Sequence, residues 1–335
     1  MLKALPLIVD TFKKSMGSFG GGHTALRTDQ DLSLKFIIGG IIAMAALMVI
    51  VPVIPISPMG AALVVIFGFF FATVSSRIVG IVGSSNNPVS GMTIASLLFI
   101  SIIFVANGNV GQEGMMAVIA IGSIICIVAA IAGDTSQDLK TGYILGATPV
   151  KQQMGELVGV FVSALTVGGV LYLLNAAWGF GSKELAAPQA MLMKMIVEGV
   201  ITASLPWDLV FMGAAIAVVV ELLGLPVLAF AIGLYLPIYL TAPLFIGGLI
   251  RRIWEAKKYQ SDKIKEAAIN NGTLMASGMI AGEGIVGIVL ALLAVLNVDT
   301  DISGTINLGE IGSIVAFIAL ICVMIYTIES GKKNA

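Results

Sequence analysis

Long apolar runs punctuated by turn residues organise this chain. Between Phe36 and Gly133 only Arg77 and Glu113 carry charge, and a helix needs about 20 apolar residues to cross a hydrocarbon core about 30 Å thick. That interval predicts four spans, 36–56, 58–83, 86–107 and 114–133. They are divided by Pro52, Pro55 and Pro58, by Asn86-Asn87-Pro88, and by Asn107-Gly108-Asn109. Further apolar runs lie at 154–175, 207–223, 225–252, 271–296 and 309–328, and a tenth segment, 187–203, carries Lys194 and Glu198. The expected fold is an all-α polytopic membrane protein, a bundle of about 8–10 transmembrane or re-entrant helices, several broken by Pro or Gly. Residues 34–330 form the membrane domain on this reading. Residues 1–33 form a cytoplasmic segment in which Leu2–Phe12 is expected to lie as an amphipathic helix on the membrane surface.

Composition closes off the other classes. Apolar residues make up 58% of the chain and charged residues 11%, against about 25% charged in a soluble domain. With a mean hydropathy of +1.04, there is too little polar surface to coat a soluble particle. The runs are also too long for barrel strands. A net charge of −1 gives no field for nucleic acid. One histidine, His23, and two cysteines, Cys126 and Cys322, supply no metal cluster, and no cofactor is expected.

Basic residues orient the chain, because Lys and Arg concentrate on the cytoplasmic side. Five precede the first span, and the strongest cluster is Arg251, Arg252, Lys257, Lys258, Lys263 and Lys265. Both that cluster and Lys332-Lys333 fall on the cytoplasmic side if 187–203 crosses. The acidic stretch Asp299–Asp301 then lies outside. A re-entrant 187–203 with one other non-crossing hairpin is the alternative topology.

Ionisable groups at membrane depth are costly and mark interior faces or wet cavities. Glu283, Glu198, Lys194 and Glu221 qualify. Lys194 and Glu198, four apart, share a helix face. Glu283 is the first candidate for proton coupling and Glu198 the second, since burial raises a carboxyl pKa towards working pH. Lys194 is a candidate substrate contact. Broken helices give the others. Asn86 and Asn87 precede Pro88 in a pattern suited to a capped N-terminus, whose free N–H groups hold anions. Pro237 and Pro243 interrupt the run around Tyr235 and Tyr239, freeing carbonyls towards a cavity. Asn270-Asn271 weakly echoes Asn86-Asn87. The plain alternatives are snorkelling charges, ordinary kinks and a surface cap. Glycine pairs Gly155/Gly159 and Gly278/Gly282 predict close helix packing. No phosphate-binding glycine loop is present, and the single histidine offers little to a Ser-His mechanism.

Several stretches together resemble the oligopeptide transporter (OPT) family, which includes the yellow-stripe-like metal-chelate transporters. The most specific is Gly133-Asp-Thr-Ser-Gln-Asp-Leu-Lys-Thr-Gly142, continuing to Thr148-Pro149 and Lys151-Gln152-Gln153; it resembles a loop of the family. The others are Ser85-Asn86-Asn87-Pro88-Val-Ser-Gly-Met92, Ala187-Pro188-Gln189-Ala190, Leu205-Pro206-Trp207, Gly233-Leu-Tyr-Leu-Pro237 with Gly247-Gly248 and Arg251, and Ala276-Ser-Gly-Met-Ile-Ala-Gly-Glu283. Complete members have duplicated halves, and this chain resembles the C-terminal half alone.

The resemblance implies a secondary active transporter, or half of one, moving small peptides or metal-chelate complexes by proton symport. Metal then arrives as part of the chelate. The implied partners are the lipid bilayer, the substrate, protons, and a second half-transporter chain or another copy. The short loops suit a prokaryotic inner membrane. A non-transporting membrane scaffold or assembly subunit is the alternative. A membrane-embedded enzyme ranks below it, since Gly133-Asp134 lacks a second aspartate at depth.

Overall fold

The computed structural model describes residues 26–182, 184–298 and 309–331, apart from 52 and 54. Every regular element among them is helical. They are α1 (Leu34–Ile50), α2 (Pro58–Val82), α3 (Val89–Ala106), α4 (Gln112–Leu145), α5 (Pro149–Ala177), α6 (Pro188–Ile201), α7 (Trp207–Leu222), α8 (Val227–Tyr235), α9 (Ile238–Ala256), α10 (Asp262–Val295) and α11 (Gly309–Gly331). The surface helix expected at Leu2–Phe12, Lys183, and the acidic stretch at 299–301 lie outside the described residues.

Helices begin where the sequence supplies a cap. Ser57 accepts from the Gly60 amide at 3.2 Å, with Pro58 in the first turn. Ser33 and Ser261 cap α1 and α10 in the same way. Helix α4 stops at Gly146, whose φ of +72° lies in the left-handed region that glycine tolerates, and Ala147 N–H closes the end on the Gly142 carbonyl at 2.8 Å.

Seven of these helices, α1–α5, α10 and α11, are long and apolar enough to cross a membrane. Helix α6 has 14 residues and α7 has 16. At 1.5 Å per residue both fall short of the hydrocarbon thickness. The expected run 225–252 is two helices. It breaks at Leu236-Pro237, after the nine residues of α8, whereas Pro243 is carried inside α9.

The chain folds as two compact bodies. The first contains the described residues of 1–165 and 188–212, and the second those of 166–187 and 213–331. In the first, α2, α3, α4 and α6 share a core that includes Phe71, Leu97, Ile100, Val118, Ile121, Ile125 and Val197. Phe67, Phe70 and Phe71 stack or meet edge-on along α2. In the second, α9, α10 and α11 meet around Ile250, Trp254, Ala268 and Ile328.

Three expectations need correction. The Gly133–Gly142 signature is not a loop: it continues α4 as helix up to Leu145. Glycine 133 and the residues after it are helix-compatible, and no proline occurs before Pro149. Asn270 and Asn271 do not open a helix, because α10 begins two turns earlier at Asp262. The pairs Gly155/Gly159 and Gly278/Gly282 meet no neighbour within 4 Å of where a methyl group would stand.

Candidate functional site

In the first body a polar cluster with Ser75, Asn87 and Gly133 forms at the C-terminal half of α4. Here α2 and α4 run so close that Ser75 donates to the Ala129 carbonyl and Ser76 donates to Ala132 at 3.1 Å. Gly133 makes that approach possible. A methyl group there would stand 2.6 Å from Asn87 Nδ2 and 3.0 Å from Ser75 Oγ. Asn87 Nδ2 donates to Ser75 Oγ at 2.7 Å. The Asn87 side chain therefore turns into the bundle instead of capping α3. Pro88 occupies the cap position, with no side-chain hydrogen bond.

One turn further along α4, Gln137 Oε1 accepts from the Ser84 amide at 2.6 Å, tying the short 3-10 turn Ser84–Asn86 to α4. Gln152 of α5 donates to the carbonyl of Asp138 at 2.7 Å and to its Oδ2 at 2.6 Å. Glu156, one turn beyond Gln152, faces Asp138 and Thr135. The segment before α1 is fastened to the same junction. Arg27 donates to Thr148 Oγ1 at 2.7 Å and to the Gly146 carbonyl at 2.8 Å. Gln153 accepts from the Leu32 amide at 3.0 Å and donates to Asp31 at 3.1 Å.

Among the described residues, three buried side-chain polar atoms lack a hydrogen-bond partner: Asn87 Oδ1, Glu156 Oε1 and Ser101 Oγ. Buried acceptors are normally satisfied, and an exception calls for a reason. Two of these three flank the signature segment. Both are acceptors, so each can take an N–H or O–H donor. Glu156 was not among the sequence candidates: at the start of an apolar run it reads as an interfacial charge. The spacing that identifies it is Gln152/Glu156, four apart on the face of α5 that meets Asp138.

The other sequence candidates are spread over the two bodies. Lys194 and Glu198 lie exposed on α6, while Val197 and Ile201 on the same helix are buried. They share a face, as expected, but no ion pair between them occurs among the described residues. Ser90 of α3 reaches Gln189 at the start of α6 at 3.5 Å. Asn86 ends the 3-10 turn, and its side chain lies outside the description, as does that of Tyr235 at the end of α8. Tyr239 is 60% exposed on α9. Glu283 is exposed midway along α10, beside Gly282 and Gly284. Glu221, near the end of α7, is exposed too. Among the described residues there is no group of three His, Cys, Asp or Glu side chains able to hold a metal. Cys126 and Cys322 are free thiols.

Apolar helices of this number and length, with short broken helices between them and polar groups drawn into the bundle, define an integral, polytopic α-helical membrane protein. Residues 7–294 match the family model described as OPT oligopeptide transporter protein, and the chain belongs to that family. It is 32% identical to a Haemophilus influenzae protein named as an oligopeptide transporter, over 93% of this chain and 58% of that protein. It is 30% identical to Arabidopsis thaliana proteins named as the metal-nicotianamine transporters YSL5 and YSL8, over 60% of this chain and 30% of each. The chain thus spans little more than half of the bacterial relative and under a third of the plant ones. The family and these relatives are transporters, not enzymes. No solved structure matches the chain.

Proposed function

We propose that this chain is half of a secondary active transporter that moves small peptides or metal-chelate complexes by symport with protons. The carrying observation is the family match from residue 7 to 294. The relatives' names set the two substrate classes. The bacterial relative favours a prokaryotic inner membrane, with residues 1–33 on its cytoplasmic side.

In this reading Glu283 carries the coupling proton, with Glu198 next in line. A carboxylate turned to lipid is costly. The exposure of Glu283 between two unfilled glycines therefore supports a second half, from another chain or another copy, covering that face. Candidate substrate contacts are Asn86, Asn87, with its unpartnered Oδ1, and Lys194 in the first body, and, taken separately, Tyr235 and Tyr239 in the second.

The test is uptake of labelled peptide or metal chelate into proteoliposomes under an imposed pH gradient. The chain is assayed alone and with candidate partner chains from neighbouring genes. Gradient-dependent accumulation supports the reading. Substrate binding without accumulation in every combination removes the transport claim.

A further inference from the structure

In the second body, α9, α10 and α11 enclose a crevice of about 260 Å³. Most of its walls are apolar: Gly247 and Trp254 of α9, Gly272 and Ala276 of α10, Met324 and Ile328 of α11. Arg251, Ile269 and Thr273 line it too, and the same three residues line an adjoining cavity of about 550 Å³. That second cavity is polar, with Glu255, Asp262, Lys265, Glu266 and Asn270 around it. An apolar slot thus opens past Arg251 into a charged mouth.

The depth of this mouth is marked independently. Trp254 donates its indole N–H to Glu329 at 3.0 Å, and Lys257 lies 3.9 Å above the Trp254 ring while bonding Glu329 at 3.1 Å. Tyr259 donates to the Trp254 carbonyl at 2.9 Å. Tryptophan and tyrosine with a cation at the end of an apolar helix mark the headgroup level. Residues 251–266 carry six basic groups, Arg251, Arg252, Lys257, Lys258, Lys263 and Lys265, against Glu255, Asp262 and Glu266.

We propose that this is a binding site for an anionic phospholipid, with one acyl chain in the crevice and the phosphate held by Arg251 and Lys265. Arg251 is oriented for this role. Its Nε bonds Glu255 at 2.8 Å in an exposed pair, which leaves its Nη groups for a phosphate oxygen. Glu255, Asp262 and Glu266 line the same mouth, so the anion is held by direct bonds from Arg251 and Lys265 and not by a net positive field, and further negative charge is repelled. The favoured head is therefore a single phosphate bearing a neutral, hydroxylated group, as in phosphatidylglycerol.

The test uses the full chain in nanodiscs holding equal parts of phosphatidylglycerol and phosphatidylcholine with matched acyl chains. Lipid retained after detergent extraction is counted by native mass spectrometry. Phosphatidylglycerol is expected in roughly fivefold or greater excess, since each interfacial cation contributes about 1 kcal/mol towards an anionic lipid. Arg251→Gln with Lys265→Gln abolishes that excess, while Arg251→Lys with Lys265→Arg keeps most of it. Ala276→Leu, which fills the crevice, lowers retention of both lipids. Lys258→Gln, outside both cavities, changes nothing.

Equal retention of the two lipids by the native chain overturns the proposal. So does a loss with Lys258→Gln as large as with the paired variant, which reduces the effect to diffuse attraction. An unaffected Ala276→Leu removes the acyl-chain seat and leaves a bare phosphate site. Circular dichroism of each variant keeps misfolding from passing as lost binding.

Discussion

Helices α4 and α10 are each 34 residues long, and they use glycine in opposite ways. On α4 every glycine meets a neighbour. A methyl group at Gly122 would fall on Leu97, one at Gly133 on Asn87 and Ser75, one at Gly142 on Gln152, and one at Gly114 on the Asn109 carbonyl. On α10 only Gly272 is filled, against Ile328; Gly278, Gly282, Gly284 and Gly287 meet nothing within 4 Å. The same residue type therefore builds the inside of one region and an unoccupied face in the other. Small residues permit close helix approach without specifying that an approach occurs within the same chain. The polar groups follow the same division. Those beside α4 are mostly paired with other side chains and carbonyls, Asn87 Oδ1 and Glu156 Oε1 excepted, whereas Glu283 on α10 lies exposed beside open glycines.

The largest effect is expected from Glu283→Gln. It keeps shape and removes charge, and proton-driven uptake by the assembled transporter is expected to fall more than about tenfold, in line with losing a proton carrier. Helicity and thermal stability of the isolated chain should stay unchanged. Unchanged uptake passes the role to Glu198 or to a group in the second half.

Next comes Gly133→Ala. Its methyl group has no room beside Asn87 and Ser75, so a loss of about 1–3 kcal/mol is expected, read as a lower unfolding temperature in detergent. Arg27→Ala removes two bonds from a partly exposed strap and should cost about 1 kcal/mol, with faster proteolysis before α1. Smallest is Gly282→Ala. On the chain alone it should be neutral or stabilising by up to about 1 kcal/mol, because alanine favours helix and nothing obstructs it. If Gly282→Ala destabilises the isolated chain as much as Gly133→Ala does, the contrast between the helices fails.

Much of the architecture was legible in the chain. The runs from 36 to 133 gave α1–α4, and the turn residues between them fall within a few positions of the observed breaks. What was not legible is instructive. The signature after Gly133 reads as a loop because it is polar, yet a polar helix outside the hydrocarbon obeys no hydropathy signal. Gln152 and Asp138 instead spend their polarity on each other across the α4–α5 turn, and Gln137 spends its own on the Ser84 amide. Asn87 reads as a cap, but the gap opened by Gly133 gives its amide a better partner in Ser75. The strap formed by Arg27, Asp31 and Leu32 has no local pattern, since its partners lie more than 100 residues away. Residues such as Glu283, whose surroundings in this reading belong to a second half, carry only their cost at depth as a signal.

The unbroken length of α4 has a mechanical meaning. Its apolar stretch, 114–133, already matches the membrane thickness. The dozen residues from Asp134 to Leu145 therefore stand beyond it as a stiff arm about 18 Å long. A stiff arm converts angle into displacement: a tilt of about 10° at the membrane surface carries its tip sideways by about 3 Å, enough to break a hydrogen bond. Gly146, Thr148 and the Arg27 strap are fastened close to that tip. Any tilt of α4 would therefore displace most the point where the strap is attached, and the strap's two hydrogen bonds would oppose it.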